Sequence, residues 1–359
     1  MKILLLSPEL FLDDGGIARI MRVYLKALCA ICSPAGEVNS LVLNDQPGGD
    51  PRLARYSNGQ LHQHVACAGS RLRFLTQAVR LARQADILIC GHLHHLAIAR
   101  LAQLFNPRLR YYLVGHGIEV WRPYSGLERG ALLGAHRILC VSEYTRRQLL
   151  RFLPVLSPDR VIVISNTLDP FFAESSNPPF AGSIFAAPRI LTVSRLTAAD
   201  NYKGVDTLIE AMPSIRKEYP LARLRVVGKG DDLNRLQVLA AKLGMAKAVD
   251  FTGSIDDETL RAEYETCDLF ALPSRKEGFG LVFLEAMAHG KACIGARAGG
   301  APEVINDSVG QLVEYGNISE IAAAIIDLVR HPRDSEVVRR HAASFAFPMF
   351  QQRLAAVLN

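Results

Sequence analysis

Apolar residues along the chain fall into two series of short runs, each run separated from the next by a stretch with helical spacing. In the first half the runs are Lys2–Ser7, Val38–Leu43, Asp86–Cys90, Arg110–Gly115, Arg137–Val141 and Val161–Ser165. They show no polar alternation, so they predict strands covered on both faces, as in a parallel sheet. Helical spacing is expected over Ile17–Ala30, Arg71–Arg83, Leu96–Leu104, Ser125–Ala135 and Thr145–Phe152. The series stops at Leu168–Pro188, where Asp169-Pro170, Asn177-Pro178-Pro179 and Gly182-Ser183 read as a linker.

The second series predicts strands at Arg189–Ser194, Leu224–Gly228, Val249–Gly253, Asp268–Pro273 and Ala292–Ala296. Helices are expected at Gly204–Tyr219, Asp231–Leu243, Asp256–Cys267, Leu281–His289 and Ile318–Val329. The fold class is therefore α/β, with two doubly wound, Rossmann-like domains and a cleft expected between them. The expected division is 1–168, a linker over 169–188, and 189–344. A last amphipathic pattern within about 345–359 is expected to pack back on the first domain. Ligands of such sheets bind beyond the carboxyl ends of the strands, and the chemistry is sought there.

Composition narrows the class. At 359 residues with 49% apolar content, the chain is long enough for two cores. Gly and Pro, 27 and 18 residues, form no low-complexity block, which excludes a disordered or collagen-like chain. No uncharged apolar run approaches the roughly 18–20 residues of a membrane span. The opening run Ile3–Leu6 is closed by Ser7-Pro8-Glu9, too short for a signal peptide, so a cytoplasmic protein is expected. Seven cysteines, an odd number placed mostly in apolar segments, fit reduced core thiols. Cys29 and Cys32 form a lone CxxC with no second pair to complete a zinc site.

The net charge of +6 is unevenly spread. Residues 1–180 hold 20 Lys and Arg against 13 Asp and Glu, a balance of +7, whereas residues 181–359 hold 21 against 22, a balance of −1. In the first half 18 of the 20 cations are Arg, which suits planar phosphate groups. Either a solvated basic face or an anionic partner surface accounts for this. Arg71–Arg83 places Leu72, Leu75, Val79 and Ala82 at helical spacing, with its arginines mostly off that stripe. Such a helix either faces the core or lies at a membrane surface.

The strongest chemical pattern is Ser274-Arg275-Lys276-Glu277-Gly278-Phe279-Gly280-Leu281-Val282-Phe283-Leu284-Glu285, which follows a predicted strand and opens a helix. Free N–H groups at a helix start, made approachable by Gly278 and Gly280, form an anion site. Carboxylates on either side suit hydroxyl-rich groups flanking a phosphate. A helix start carrying one Glu for its dipole would explain part of this but not the glycine spacing. At the end of the first strand of the second domain, Arg195 and Lys203 bracket a loop entering a helix, right for neutralising a departing diphosphate.

These residues, together with Val227-Gly228-Lys229-Gly230, make the chain resemble retaining glycosyltransferase family 4, of GT-B fold, among bacterial enzymes of polysaccharide and glycolipid synthesis. Asp13-Asp14-Gly15-Gly16-Ile17-Ala18 resembles that family's Gly-rich first loop, and Val141-Ser142-Glu143-Tyr144-Thr145 its late strand–helix turn in the first domain. Asn166-Thr167-Leu168-Asp169 resembles its Asn-Gly-Val-Asp, with Thr167 in place of the usual Gly.

The resemblance implies that Glu277 faces the donor sugar's hydroxyls and that backbone N–H groups from Phe279 to Val282, with Leu281 between, approach the phosphates. It implies that Glu285 holds the ribose hydroxyls and that Arg195 and Lys203 neutralise the diphosphate without a metal or other cofactor. Gly15 and Gly16 would let the first loop close on the donor, Gly253-Ser254-Ile255 would edge the base, and Lys229 would lie nearby. His116, between glycines at a predicted strand end, would contact the donor sugar near the reaction centre. His92 and Glu119 are candidates for the acceptor side; a metal held by His92, His94 and His95 is disfavoured by their spacing.

The activity so implied is transfer of a hexose from a nucleoside-diphosphate sugar, with GDP-mannose slightly preferred over UDP-sugars, to a hydroxyl of a glycan or lipid-linked glycan. The acceptor attacks the face from which the diphosphate leaves, and the leaving phosphate takes its proton. Attachment to an anionic membrane surface is expected through the basic half, and no nucleic-acid partner. A dinucleotide-dependent oxidoreductase is the rival enzyme class, but the first loop lacks GxGxxG. A non-catalytic nucleotide- or glycan-binding module would lack either Glu277 or the basic pair.

Overall fold

The computed structural model describes residues 1–12, 15–32, 35–173 and 187–359. Asp13 and Asp14 of the first loop and most of the expected linker lie outside the described residues. The chain forms two compact units, Met1–Asp169 with Phe347–Asn359, and Pro170–Ala346.

Unit 1 is a seven-stranded sheet of β1 (Lys2–Ser7), β2 (Glu37–Val42), β3 (Leu61–Ala66), β4 (Ile87–Cys90), β5 (Arg110–Gly115), β6 (Arg137–Cys140) and β7 (Val161–Val163). Their order is β3-β2-β1-β4-β5-β6-β7, and each neighbouring pair is parallel. Helices α1 (Gly16–Cys32), α2 (Leu53–Ser57), α3 (Arg71–Ala82), α4 (Leu96–Phe105), α5 (Gly126–Gly134) and α6 (Glu143–Phe152) make the connections. The interior runs of β1, β4 and β5 are buried throughout, which is why they read as unbroken apolar stretches.

Unit 2 contains α7 (Pro170–Ala173), β8 (Arg189–Val193), α8 (Val205–Glu218), β9 (Arg223–Val227), α9 (Leu233–Lys242), β10 (Val249–Gly253) and α10 (Asp257–Thr266). It continues through β11 (Leu269–Leu272), α11 (Leu281–Ala288), β12 (Ala292–Ala296), β13 (Gly310–Val313), α12 (Ile318–Arg330) and α13 (Ser335–Ala343). Its six strands run in the order β10-β9-β8-β11-β12-β13, again parallel. The last helix, α14 (Phe347–Leu358), belongs to unit 1, where Phe350 meets the buried Tyr24 of α1 edge to face at 4.9 Å.

Both sheets have the doubly wound order, with the chain reversing direction at β1/β4 in unit 1 and at β8/β11 in unit 2. Such a reversal leaves a crevice at the carboxyl ends of the two central strands.

The helices α2, α7 and α13 are not in the sequence reading, and three further elements differ from it. The pattern does not predict β3 or β13, and both are edge strands of their sheets. An edge strand need not be apolar throughout, and β3 carries His62, Gln63 and His64 within six residues. In α3 the buried stripe is Phe74, Ala78 and Ala82, not the one built on Leu72, Leu75 and Val79; Leu72 is 72% exposed. Both stripes have helical spacing, and packing of Phe74 at 4.7 Å from the His95 ring decides between them.

Candidate functional site

Of the unit 2 residues singled out by sequence, Arg195, Lys203 and Glu277 gather at its switch point. Arg195 follows β8, and Glu277 follows β11, the neighbouring strand. Between β8 and α8 the chain turns through Ala198–Lys203 to Gly204, whose φ of +74° disfavours a side chain. A Cβ there would also stand 2.6 Å from the Pro273 carbonyl oxygen at the end of β11. The two loops are stitched together by the Arg275 N–H, which donates to the Tyr202 carbonyl at 2.8 Å.

This stitching brings Lys203 Nζ to 2.7 Å from Glu277 Oε2, with both side chains largely withdrawn from water. Asp200 holds the other cation. Its carboxylate accepts from the hydroxyls of Tyr202 at 2.6 Å and Thr197 at 2.9 Å, and pairs with Arg195 at 3.1 Å. The Arg195 side chain remains 57% exposed, and Arg195 and Lys203 border the same small hollow. Two cations of the loop between β8 and α8 are thus presented together, each steadied by a carboxylate.

On the far side, Gly299 and Gly300 follow β12, and the Gly300 N–H donates to the Glu277 carbonyl at 2.7 Å. A Cβ on Gly300 would collide with the Gly278 carbonyl oxygen, so the approach requires glycine. The loop then enters α11 through Gly280 at φ +95°, with no side-chain cap. First-turn N–H groups without a side-chain cap can be met by an anion. Phe279 is buried against the Phe345 ring at 5.7 Å, so only its backbone is placed to serve a ligand.

Glu285 stands apart from this ion-pair group. It is buried in α11, and the hydroxyl of the fully buried Tyr264 on α10 donates to its Oε2 at 2.8 Å. The His289 ring stacks parallel to Tyr264 at 6.0 Å. The remaining expected base-side residues cluster at the ends of β9 and β10. The Gly228 N–H donates to the Gly253 carbonyl at 3.0 Å, Ser254 is exposed, Ile255 is half-buried, and Lys229 is exposed with its carbonyl accepting from the Leu196 N–H.

In unit 1, Gly15 and Gly16 lead from β1 into α1, and a Cβ on Gly16 would meet nothing within 4 Å. His92 follows β4, on the other side of the switch point. His116 follows β5, and its Nε2 lies 2.9 Å from the Gly91 carbonyl, which assigns the proton to Nε2. Burial pushes the His116 pKa down to about 4, against the pull of that hydrogen bond, so the ring is neutral at pH 7. Burial also lowers His92 to about 4, with Glu119 pulling the other way.

Glu119 has its carboxyl pushed up by burial, and Oε1 accepts the N–H groups of His116 at 2.5 Å and Gly117 at 3.2 Å. That oxygen holds the turn carrying His116, an arrangement that supports His116 directly. Of the other histidines, His92 Nδ1 accepts the His94 N–H at 3.2 Å and His95 is buried on Phe74. Among the described residues no group of His, Cys, Asp and Glu is arranged to hold a metal ion. All the cysteines are free and buried, and the Cys29 thiol is pushed up to about 12 by burial, far from the thiolate a redox pair needs.

Sequence reasoning did not find Asp200, Tyr264 or the Gly299-Gly300 brace. The paired glycines after an apolar run were a visible signal; Asp200 and Tyr264 gave none, because their partners are set by how loops and helices meet.

The glycosyl transferases group 1 family matches residues 186–345, and glycosyltransferase family 4 matches residues 44–171. The chain is 36% identical over 174 residues to a GDP-mannose-dependent alpha-(1-6)-phosphatidylinositol monomannoside mannosyltransferase of Mycolicibacterium smegmatis, covering 46% of this chain and 45% of the relative. The match therefore spans less than half of that relative's length. The chain is also 27% identical to the alpha-maltose-1-phosphate synthase of Mycobacterium tuberculosis, over 92% of this chain and 89% of the other. In fold it is similar to Anabaena Alr3699/HepE, a structure solved in complex with UDP and glucose, at a TM-score of 0.79 and 20% identity over 100% and 99% of the two chains. A sucrose-phosphate synthase from Thermosynechococcus elongatus superposes at 0.78 with 20% identity over 99% and 98%. These neighbours are GT-B glycosyltransferases, and both units here have the paired Rossmann-like sheets of that fold.

Proposed function

We propose that this chain, which belongs to glycosyltransferase family 4, moves a hexose from a nucleoside-diphosphate sugar to a hydroxyl of a glycan or lipid-linked glycan, with retention of anomeric configuration. The observation that carries the reading is the Lys203–Glu277 pair at 2.7 Å beside the uncapped start of α11. Lys203 and Arg195 supply positive charge where a diphosphate leaves, and Glu277, kept in place by Lys203 and the Gly300 N–H, is set to receive sugar hydroxyls. Glu285 takes the ribose. Stabilising charge developing on the leaving group is the step these cations accelerate, and no metal is required for it.

His116, neutral and with its Nε2–H committed to Gly91, offers Nδ1 as an acceptor towards a sugar hydroxyl; it does not act as a cationic acid. The acceptor hydroxyl attacks the face that the diphosphate leaves, and the departing phosphate oxygen accepts its proton. GDP-mannose is the favoured donor, in keeping with the GDP-mannose-dependent relatives, and a UDP-sugar is the alternative. Work at the cytoplasmic face of a membrane fits the basic first half and the exposed Leu72 of α3; no helix among the described residues is long and apolar enough to cross one.

The test is incubation with GDP-mannose or UDP-glucose, with and without EDTA, and NMR assignment of the new anomeric centre. An α-linked product from an α-linked donor, with turnover unchanged by EDTA, is expected. Inversion, or a strict metal requirement, would overturn the mechanism, and thermal shifts with neither GDP nor UDP would overturn the reading. A nucleotide at about 100 times its Kd stabilises by about 2.7 kcal/mol.

A further inference from the structure

Unit 2 has a second polar hollow, at the other end of its sheet. Asp268 and Lys291 immediately precede β11 and β12, so they stand at the amino ends of those parallel strands, whereas Glu277 follows β11 at its carboxyl end. Asp268, His289 and Lys291, with Arg333 and Arg339, border a space of about 50 Å³. At ~10–15 Å³ for each water-sized group that is room for roughly four, the number of oxygens in a tetrahedral oxyanion.

His289 points to a ligand there. It ends α11, is 3% exposed, and neither ring nitrogen has a hydrogen-bond partner among the described residues. Polar atoms so buried are costly to leave unbonded. The ring lies parallel to Tyr264, the two planes 6° apart, so its direction is set before any ligand arrives. Burial pushes its pKa down to about 4, with Lys291, Arg261 and Arg339 acting in the same sense and Glu265 against them. At pH 7 the ring is therefore neutral and keeps one N–H to donate.

Cations surround that donor. Lys291 and Arg333 have no ion-pair partner among the described residues, and Arg333 uses only Nε and Nη1, on the carbonyls of Asp307 and His331. Arg339 pairs with Glu336 at 2.7 Å, and a Cβ on Gly290 would stand 3.1 Å from its Cζ, so glycine lets α13 bring it against the end of α11. These groups favour an anion. Asp268 narrows the choice. Its Oδ2 accepts the Arg189 N–H at 2.7 Å, which leaves Oδ1 for a further donor. A carboxylate can only accept, so the anion beside it must still carry a proton. Monohydrogen phosphate has such a hydroxyl, and sulfate has none.

We infer that this hollow binds inorganic phosphate, whose oxygens accept from His289, Lys291, Arg333 and Arg339 while its hydroxyl donates to Asp268. The site lies apart from the loops around Lys203 and does not depend on the glycosyltransferase reading.

Titration calorimetry at pH 7.5 with inorganic phosphate and with sulfate tests it, on wild type, His289→Phe, Lys291→Met, Asp268→Asn and Lys203→Met, with the Tm of each variant as the check on folding. Phenylalanine keeps a ring against Tyr264 and removes both nitrogens; Lys291→Met removes one charge and carries the test if His289→Phe does not fold. Wild type should bind phosphate at least tenfold more tightly than sulfate. His289→Phe and Lys291→Met should each weaken phosphate tenfold or more, and Asp268→Asn should bring sulfate within threefold of phosphate. Lys203→Met, at the other strand ends, should stay within twofold of wild type. Phosphate binding lost in Lys203→Met but kept in His289→Phe and Lys291→Met would put the ion on the loop after β8 and overturn the inference. It also falls if wild type binds no phosphate, or binds sulfate equally well.

Discussion

Tyr264 gives Glu285 a fixed orientation. Its hydroxyl donates to one carboxylate oxygen at 2.8 Å, and the ring is locked between His289 and the aromatic residues Phe172 and Phe270. A carboxylate so held meets vicinal hydroxyls without first losing rotamer freedom. Tyr264→Phe should therefore weaken GDP or UDP binding about 5-fold, the equivalent of about 1 kcal/mol for one hydrogen bond. The preference for the ribonucleotide over its 2′-deoxy form should shrink with it. Calorimetry with both forms checks this, and unchanged discrimination would show that Tyr264 only fills space. The Glu277 and Glu285 spacing was readable because it lies within one loop and one helix. Tyr264 and Asp200 were not, since each reaches its partner across elements: Tyr264 lies 21 residues before Glu285, and nothing local marks it.

Among the elements, the central strands were legible, and of the four edge strands β7 and β10 were legible while β3 and β13 were not. β1, β4 and β5 are covered on both faces and must be apolar, so hydrophobic runs betray them. β3 and β13 have one neighbour each and tolerate polar residues, so composition does not mark them. The carboxyl ends of β4 and β5 also carry a consequence for stability. His92, His95 and His116 have their rings pushed down to about 4, 3 and 4 by burial, whereas an unfolded histidine titrates near 6.5. As pH falls from about 6.5 towards 4, the unfolded chain takes up protons that the folded chain refuses, so stability declines; above pH 7 these groups contribute no slope. Glu119, pushed up by the same burial, offsets part of the loss. Denaturant midpoints should report about 2–4 kcal/mol less stability at pH 5 than at pH 7.5, the three rings interacting and so not adding fully. Equal midpoints would mean that these rings are hydrated.

For the whole molecule, both units repeat one solution. A parallel sheet reverses its winding order, and chain segments leaving the two central strands carry the candidate chemistry: Gly15-Gly16 and His92 in unit 1, Arg195 and Glu277 in unit 2. Unit 2 concentrates ion pairs around the loops after β8 and β11, while the first half of the chain holds the excess of arginine. The alternation of apolar runs and helices was enough to infer two doubly wound units, because each buried strand needs the helices that cover it. What sequence did not convey was that the cations arrive already paired with carboxylates. That Lys203 offers its charge to a diphosphate is the central claim, and comparing nucleoside diphosphate with monophosphate binding tests it most directly. Wild type should prefer the diphosphate of GDP or UDP by tenfold or more; Glu277→Gln, which leaves the cation in place, should keep that preference, and Lys203→Met should lose most of it. A Lys203→Met protein that folds and still prefers the diphosphate as strongly as wild type would contradict the account.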